Sequence, residues 1–381
     1  MARPKKVKDS TEEAQASNDF SRDLVKDINK EAGFEITFLL DDGSPAEVKE
    51  FISTGSTLLD IAISNRYPGG IPCNRMIEFS GLPGSGKSLL AMQTAANFQK
   101  SGGTVIYLDY ENSFSDDFAE RVGLDASKNF IYAQPPSIEE GFKIVFRVMH
   151  NLDEQEKTNP GFTKKILIIW DSIAAAPCAA DIEAENPDPT SNVGLKPRVI
   201  SKNISTVLTS SGRKSITFLF LNQLRTNIRA QPFSDPYVTP GGNAIPFACS
   251  VRVRLAKGSK IKLNDEVVGV GTFATCEKTR FGPNYRKAEF PIYFTKGVDD
   301  LESLISYAEN TNIVGNKSGG TKGKQYWFKD ENKEVTMNRK DFKKYIRTSD
   351  KLEKLKQLVA TEAIKELNVT EDDDVEFESV E

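Results

Sequence analysis

The spacing of apolar residues changes along the chain, and the changes divide it. Residues 1–19 are charged and rich in Ser and Thr, with no apolar period, and are expected to be disordered. Residues 20–32 place Leu24, Val25 and Ile28 on one face of a short helix. An apolar, strand-like run at 36–40 follows, closed by the turn signal Asp41-Asp-Gly-Ser-Pro45. One helix with one apolar face must bury that face, either in its own domain or against a neighbouring protomer. This segment, 20–50, therefore reads as a docking element.

From 51 to 297 the pattern alternates between short apolar runs and helical periods. Strands are expected at 76–80, 104–109, 130–133, 166–170 and 216–222, and helices at 87–100, 114–122, 141–152 and 199–210. Such alternation predicts a mostly parallel twisted sheet with helices on both faces, an α/β fold. Strand-rich stretches at 250–255, 269–278 and 287–294 extend it as hairpins. A small α/β domain is expected over 298–368, ending in a helix at 351–367, with a tail at 369–381. There is no internal repeat.

Composition narrows the classes. The chain is 38% hydrophobic and 27% charged, a globular balance. Its most apolar segment, 166–170, falls far short of the roughly 20 residues that span a bilayer. The basic start, Met1-Ala-Arg-Pro-Lys-Lys, lacks the apolar region of a secretory signal. A cytoplasmic location is expected, with no membrane partner. Cys73, Cys178, Cys249 and Cys276 form no C-x-x-C pair and read as buried free thiols. With His150 the sole histidine, a zinc site lacks ligands, and that residue reads as solvated or packed. The net charge of −4 argues against a uniformly basic coat for nucleic acid. Seven acids and no base lie in 371–381, so the rest of the chain carries +3.

Gly81-Leu-Pro-Gly84-Ser85-Gly86-Lys87-Ser88 fits G-x-x-x-x-G-K-[ST] in full, between an expected strand and helix. Glycines let backbone N–H groups face phosphates, and a helix N-terminus adds a favourable dipole. Lys87 would reach the β- and γ-phosphates, and the Ser88 hydroxyl would ligate Mg²⁺. This is the core of a P-loop NTPase. Asp171 ends the apolar run 166–170, where such a fold needs its second Mg²⁺ contact. Alone, that acid could merely start a turn. Asp109 and Glu111 end another strand, and Glu111 is the candidate base for the attacking water; a strand-end cap is the alternative. Asn222 and Gln223 end a third strand, where an amide can sense the γ-phosphate. The following loop, 224–243, interleaves Arg225 and Arg229 with Phe233 and Tyr237, and holds Gly241 and Gly242. Basic residues among aromatic ones suit a single-stranded nucleic acid groove.

Four landmarks, in order, resemble the RecA family of recombinases. They are Gly81 to Ser88, Leu108-Asp-Tyr-Glu111, Asp171-Ser-Ile-Ala-Ala, and Phe220-Leu-Asn-Gln223-Leu-Arg225 followed by Pro240-Gly-Gly-Asn243-Ala-Ile. Ala288-Glu-Phe-Pro-Ile and Lys296-Gly-Val extend the likeness, which covers about residues 50–310. The divergent ends suggest a phage-type or otherwise divergent member. The resemblance implies a RecA-like ATPase core and a DNA-dependent ATPase. Such a protein forms ATP-gated filaments on single-stranded DNA and exchanges strands with a homologous duplex. ATP and Mg²⁺ are the implied cofactors. The implied partners are single-stranded DNA, homologous double-stranded DNA and further copies in a helical polymer, with single-strand-binding and mediator proteins as candidates.

By the same resemblance Glu111 matches the catalytic glutamate and Gln223 the γ-phosphate sensor. Lys278 and Arg280 match a basic pair that reaches the adjacent protomer's ATP, with arginine where lysine is common. Phe118 and Phe294 fall where aromatic residues pack on adenine. Loops at about 183–198 and 224–243 match the two DNA-binding loops. Val193 and Ile228 stand where apolar side chains wedge between base triplets. Lys196, Arg198, Arg225, Arg229, Phe233, Gly241, Gly242 and Asn243 complete the implied DNA contacts. Pro187, Pro189 and Pro197 crowd the first loop and would stiffen it. The acidic tail reads either as a solubilising end or as a competitor for the protein's DNA-binding cations. Two other readings remain open at this point: a RecA-fold mediator that exchanges no strands, and a hexameric helicase.

Overall fold

The computed structural model describes residues 10–33, 35–39, 41, 47–183, 194–211, 214–227, 235–318, 324–328 and 336–364, and divides into two units at residue 49. In the first unit, α1 (Ser10–Ala32) starts well before Phe20. The expected disorder is thus corrected over residues 10–19, where the run Glu12-Glu-Ala-Gln-Ala16 is made of strong helix formers. The expected strand at 36–40 is not a strand over its described residues, 36–39. That segment is held by Asn29 instead, whose Oδ1 accepts the backbone N–H groups of Ile36 and Thr37 at 2.9 Å each.

The second unit is built on a nine-stranded sheet. Its strands are β1 (Met76–Gly81), β2 (Thr104–Asp109), β3 (Phe130–Ala133), β4 (Ile166–Asp171), β5 (Ile216–Gln223), β6 (Val251–Leu263), β7 (Glu266–Thr279), β8 (Arg286–Tyr293) and β9 (Gly297–Val298). The order is β9-β8-β7-β6-β1-β5-β4-β2-β3. All pairs from β6 to β3 are parallel, and β6 to β9 run antiparallel. Strands β1 and β4 are buried along their whole length; β4 accordingly reads as a continuous apolar run rather than an alternating one, whereas β1 carries the buried polar residues Glu78 and Ser80.

With the short α2 (Thr57–Ser64) before β1 and α4 (Asp116–Arg121) after β2, helices cover both faces. On one, α3 (Lys87–Lys100) sets Leu90, Ala91 and Phe98 against Phe79, Tyr107 and Leu219. On the other, α5 (Ile138–Thr158) and α7 (Leu195–Ser211) pack Phe142, Val145, Ile200 and Ile204 against Trp170 and Phe220. Helix α5 starts before its expected bound because Ser137 caps it, its side chain accepting from the Glu140 N–H, and it also runs past the expected end at 152, to Thr158. His150 lies exposed on α5, and all four cysteines are buried and free.

The C-terminal region adds α9 (Asp300–Asn310), an antiparallel sheet of β10 (Val314–Ser318), β11 (Lys324–Phe328) and β12 (Met337–Asn338), then α10 (Arg339–Ile346) and α11 (Ser349–Ala363). It has its own core around Leu304, Phe328, Phe342 and Leu355, and Leu58 bridges that core to the sheet's. Asp300 also accepts the Thr57 N–H at 2.7 Å. Helix α11 ends at Ala363, short of the expected Leu367, and the acidic tail lies outside the described residues.

Candidate nucleotide site and nucleic-acid loops

Open α/β sheets bind ligands beyond the C-terminal ends of their parallel strands. Here those ends carry Gly81 (β1), Asp109 (β2), Asp171 (β4) and Gln223 (β5). Register puts Gly81 beside Gln223 and Asp109 beside Asp171, so four separated motifs meet along one edge.

Between β1 and α3 the glycine loop turns through left-handed backbone at Gly84 (φ 73°) and Gly86 (φ 93°). A Cβ on Gly86 would lie 2.7 Å from Ile292 Cδ1, the movable end of that side chain, so φ more than space demands glycine. Gly86 caps α3 without a side chain, leaving the first-turn N–H groups for a ligand. The hydroxyl of Ser85 is buried and has no hydrogen-bond partner among the described residues. Lys87 Nζ donates to the Gly81 and Leu82 carbonyls at 3.0 and 3.2 Å. Burial lowers its pKa, opposed by Glu111 and Asp171, so both acids lie within electrostatic reach of the ammonium.

The two strand-end acids of β2 have different tasks. Asp109 accepts the N–H groups of Glu111 (3.0 Å), Ser113 (3.0 Å) and Phe114 (3.1 Å), and the Tyr132 hydroxyl (3.0 Å). It folds the turn that presents Glu111. Glu111 Oε1 accepts Gln223 Nε2 at 2.7 Å and the Ser172 hydroxyl. Asp171 is buried; its Oδ2 accepts the Tyr107 hydroxyl at 2.5 Å, and Ser88 bonds it as well. Burial raises the Asp171 pKa, and the bonds from Tyr107 and Ser88 oppose that rise. Ser88 and Asp171 thus lie close enough to offer two oxygens to one divalent ion. No cluster of three His, Cys, Asp or Glu among the described residues could hold a metal, so a divalent ion here needs nucleotide oxygens or water to complete its shell. Tyr107 and Ser172 were not singled out in the sequence. Tyr107 shares a strand face with Asp109 by alternation, but its partner Asp171 comes from another strand.

The remaining candidates are spread more widely. Phe118 is half-buried against the core beside α3, and Phe294 is exposed just after β8. Lys278 Nζ donates to the Pro246 and Phe247 carbonyls of α8 (Ala244–Ala248) at 2.8 and 3.3 Å; Arg280 is exposed. Phe247 itself is 73% exposed, an aromatic the sequence reading missed.

The first loop is shorter than expected. Helix α6 (Ala179–Glu183) precedes it, and α7 already begins at Leu195, with Pro197 in the first turn, where its missing N–H costs nothing. Lys196 and Arg198 are therefore helical. Arg198 is exposed, whereas Lys196 Nζ turns inward and donates to the Ala174 carbonyl at 2.9 Å. The second loop is not structureless at its base. Arg225–Thr226 pairs with Tyr237–Val238, and the Asn227 N–H donates to Pro236 at 2.7 Å. Gly241 and Gly242 adopt positive φ beneath α7, where added Cβ atoms would meet Ile200 at 3.1 Å and Pro197 at 3.2 Å. Arg225 and Asn243 are exposed. Val193, Ile228, Arg229 and Phe233 lie outside the described residues.

Comparison with known proteins decides the family. The model of the RecA N-terminal domain matches residues 21–299. The chain belongs to the RecA family. Protein RecA of Acinetobacter baylyi is 32% identical over 82% of this chain and 87% of its own length. Protein RecA of Wolinella succinogenes is 31% identical over 94% of this chain and 96% of its own. That of Trichodesmium erythraeum is 29% identical over 94% and 95%. This RecA-family chain is accordingly a DNA-dependent ATPase and recombinase, which binds DNA and assembles with its own copies into filaments; the mediator and helicase readings are not favoured. Among the described residues, no helix is long and apolar enough to cross a membrane.

Proposed function

We propose that ATP binds at Gly81 to Ser88, that Glu111 is the hydrolytic base, and that Gln223 transmits the state of the γ-phosphate to the second loop. The observation that carries this reading is the 2.7 Å bond from Gln223 to Glu111. A base and an amide sensor that share one bond can exchange it for bonds to a phosphate oxygen and its attacking water. Gln223 opens directly into the ladder at the base of the second loop, so a change in its bonding reaches that loop. The unpartnered Ser85 hydroxyl and the uncapped N-terminus of α3 support phosphate binding at the same place.

Mg²⁺ held by Ser88 and Asp171 would neutralise developing phosphate charge. Lys87 would exchange its loop carbonyls for phosphate oxygens. Phe118 and Phe294 would flank the base of the nucleotide. Lys278 and Arg280 would act on the neighbour's nucleotide, with exposed Phe247 in the same protomer contact. Helix α1, with Phe20 and Leu24 exposed, would bury that apolar face on a neighbouring copy. The segments at about 183–198 and 224–243 would hold single-stranded DNA for pairing with a homologous duplex, Arg198 and Arg225 supplying cations.

Three-strand exchange between circular single strands and homologous linear duplex, with ATP or ADP, tests the whole reading. Joint molecules are expected with ATP alone. Lys87→Ala should abolish nucleotide binding, and Glu111→Gln should keep nucleotide and DNA binding while hydrolysis falls. Normal hydrolysis by Glu111→Gln would remove Glu111 from its role.

A further inference from the structure

A second connection joins the phosphate-loop strand to the second loop, and it runs through charged side chains. Glu78 is fully buried on β1, three residues before Gly81. Its Oε1 accepts Asn222 Nδ2 at 2.9 Å, and its Oε2 accepts Arg252 Nε at 2.6 Å. The same Asn222 amide donates to the Pro240 carbonyl at 3.1 Å, at the end of the second loop's returning arm.

On the other side of β1 lies β6. Arg252 pairs with Lys278 of β7 while Val253 pairs with Cys276, so Glu277 is the extra residue of a bulge. The bulge aims its carboxylate between two arginines, 3.8 Å from Arg252 Nη1 and 2.7 Å from Arg254 Nε. Arg254 Nη2 then donates to Asp235 Oδ2. Asp235 begins the described part of the returning arm, and its Oδ1 accepts the Tyr237 N–H at 2.9 Å, inside the ladder. In register, Arg254 stands beside Ser80 and Leu255 beside Gly81.

The stem of the second loop is therefore fixed at two points, Pro240 by Asn222 and Asp235 by Arg254. Both fixings lead back to β1 immediately before the phosphate loop. The Arg254 and Asp235 side chains are 28% and 46% exposed, and an ion pair so open to water adds little to global stability. What it does is direct the returning arm. We infer that Arg254 is a positioning residue for DNA binding, setting the second loop through Asp235 independently of Gln223. This rests on the reading of residues 224–243 as a DNA-binding loop.

The sign of one variant separates this role from simple charge. Asp235→Asn removes an acid near a bound polyanion, which on charge alone tightens binding; loss of the strut weakens it. The test uses the full chain with Asp235→Asn, Arg254→Gln, the double variant and Arg225→Ala. The readouts are the fluorescein-labelled oligo-dT concentration that half-saturates binding and that gives half-maximal ATP hydrolysis. The turnover at saturating DNA and the affinity for a fluorescent ADP are measured alongside.

Asp235→Asn and Arg254→Gln should each raise both half-saturating concentrations about threefold or more. The double variant should be no worse than either single, with turnover at saturating DNA and ADP affinity unchanged. Tighter or unchanged binding by Asp235→Asn, while Arg225→Ala weakens it, overturns the inference and leaves the loop's role standing. Losses that multiply in the double variant also overturn it, since Arg254 would then act only through Glu277. Unchanged binding in all variants, Arg225→Ala included, would instead sink the DNA-loop reading, and the inference with it. Asp235 lies at the surface, so its variant reads out even if an Arg254 variant folds poorly.

Discussion

Replacing Tyr107 by Phe removes one hydroxyl from the candidate nucleotide site and little else. The ring is buried between Phe114 and Phe130, with centroids 5.2 and 6.4 Å away, and Phe keeps those contacts. What goes is the 2.5 Å bond to Asp171 Oδ2. A hydrogen bond to a charged group is worth about 1.5–3 kcal/mol. If that energy passes into how firmly Asp171 is held for a divalent ion, the concentration of Mg²⁺ needed for half-maximal hydrolysis rises roughly 10- to 100-fold, the range for outer partners of metal ligands. The effect on pH has a definite sign. Burial raises the Asp171 pKa and the Tyr107 bond opposes it, so the variant's pKa lies higher still. In the proposed role of Asp171 as a ligand for the divalent ion only the ionised form binds, so the acid limb of hydrolysis should move to higher pH. Titrating Mg²⁺ at fixed ATP and DNA, then repeating across pH 5–8, measures both. An unchanged Mg²⁺ midpoint and acid limb in a protein of normal melting temperature would refute the argument.

Other outcomes follow from the same geometry. Glu78→Ala leaves a buried void and takes the acceptor from both Asn222 Nδ2 and Arg252 Nε, while Glu277 still faces Arg252, so the loss should cost about 1.5–3 kcal/mol in denaturant unfolding. Gly86→Ala forces a Cβ onto Ile292 at φ 93°, lowering both nucleotide affinity and melting temperature; adding Ile292→Val should recover the steric part but not the backbone strain. In the C-terminal region, burial alone would raise the Glu302 pKa, but bonds from Lys343 and Arg339 bring it below its ordinary value. Its stabilisation is therefore complete above the unfolded carboxylate range, about pH 4.3, and is lost as pH falls through the folded value. Arg339→Ala should destabilise the protein at pH 7 and less so near pH 3, as thermal melts at the two pH values would report.

Much of the fold and half of the site were legible in the order of residues. The glycines and Lys87-Ser88 between an apolar strand and a helix form a local pattern, complete within eight positions. Asp171, Glu111 and Gln223 each end an apolar run, which marks a strand end whatever its neighbours. Alternating strands and helices gave the parallel sheet because each crossover needs a helix to cover a face. Helix ends were read less well. Low apolar content hid the start of α1, and Pro197 looked like a loop residue when it opens α7.

Only the tertiary structure decided which strand ends meet. Period-two alternation tells which face a side chain takes, not which strand lies beside it. The order β6-β1-β5-β4-β2 comes from crossovers that return over whole helices, so partners far apart in sequence become neighbours. That is why Asp109 proved to be the organiser of a turn, Tyr107 the partner of Asp171, and Glu78 the buried anchor of Asn222 and Arg252. Position 252 lies 174 residues from position 78, and no local spacing encodes that meeting. A carboxylate's role depends on what faces it, and what faces it is set by the packing of the sheet.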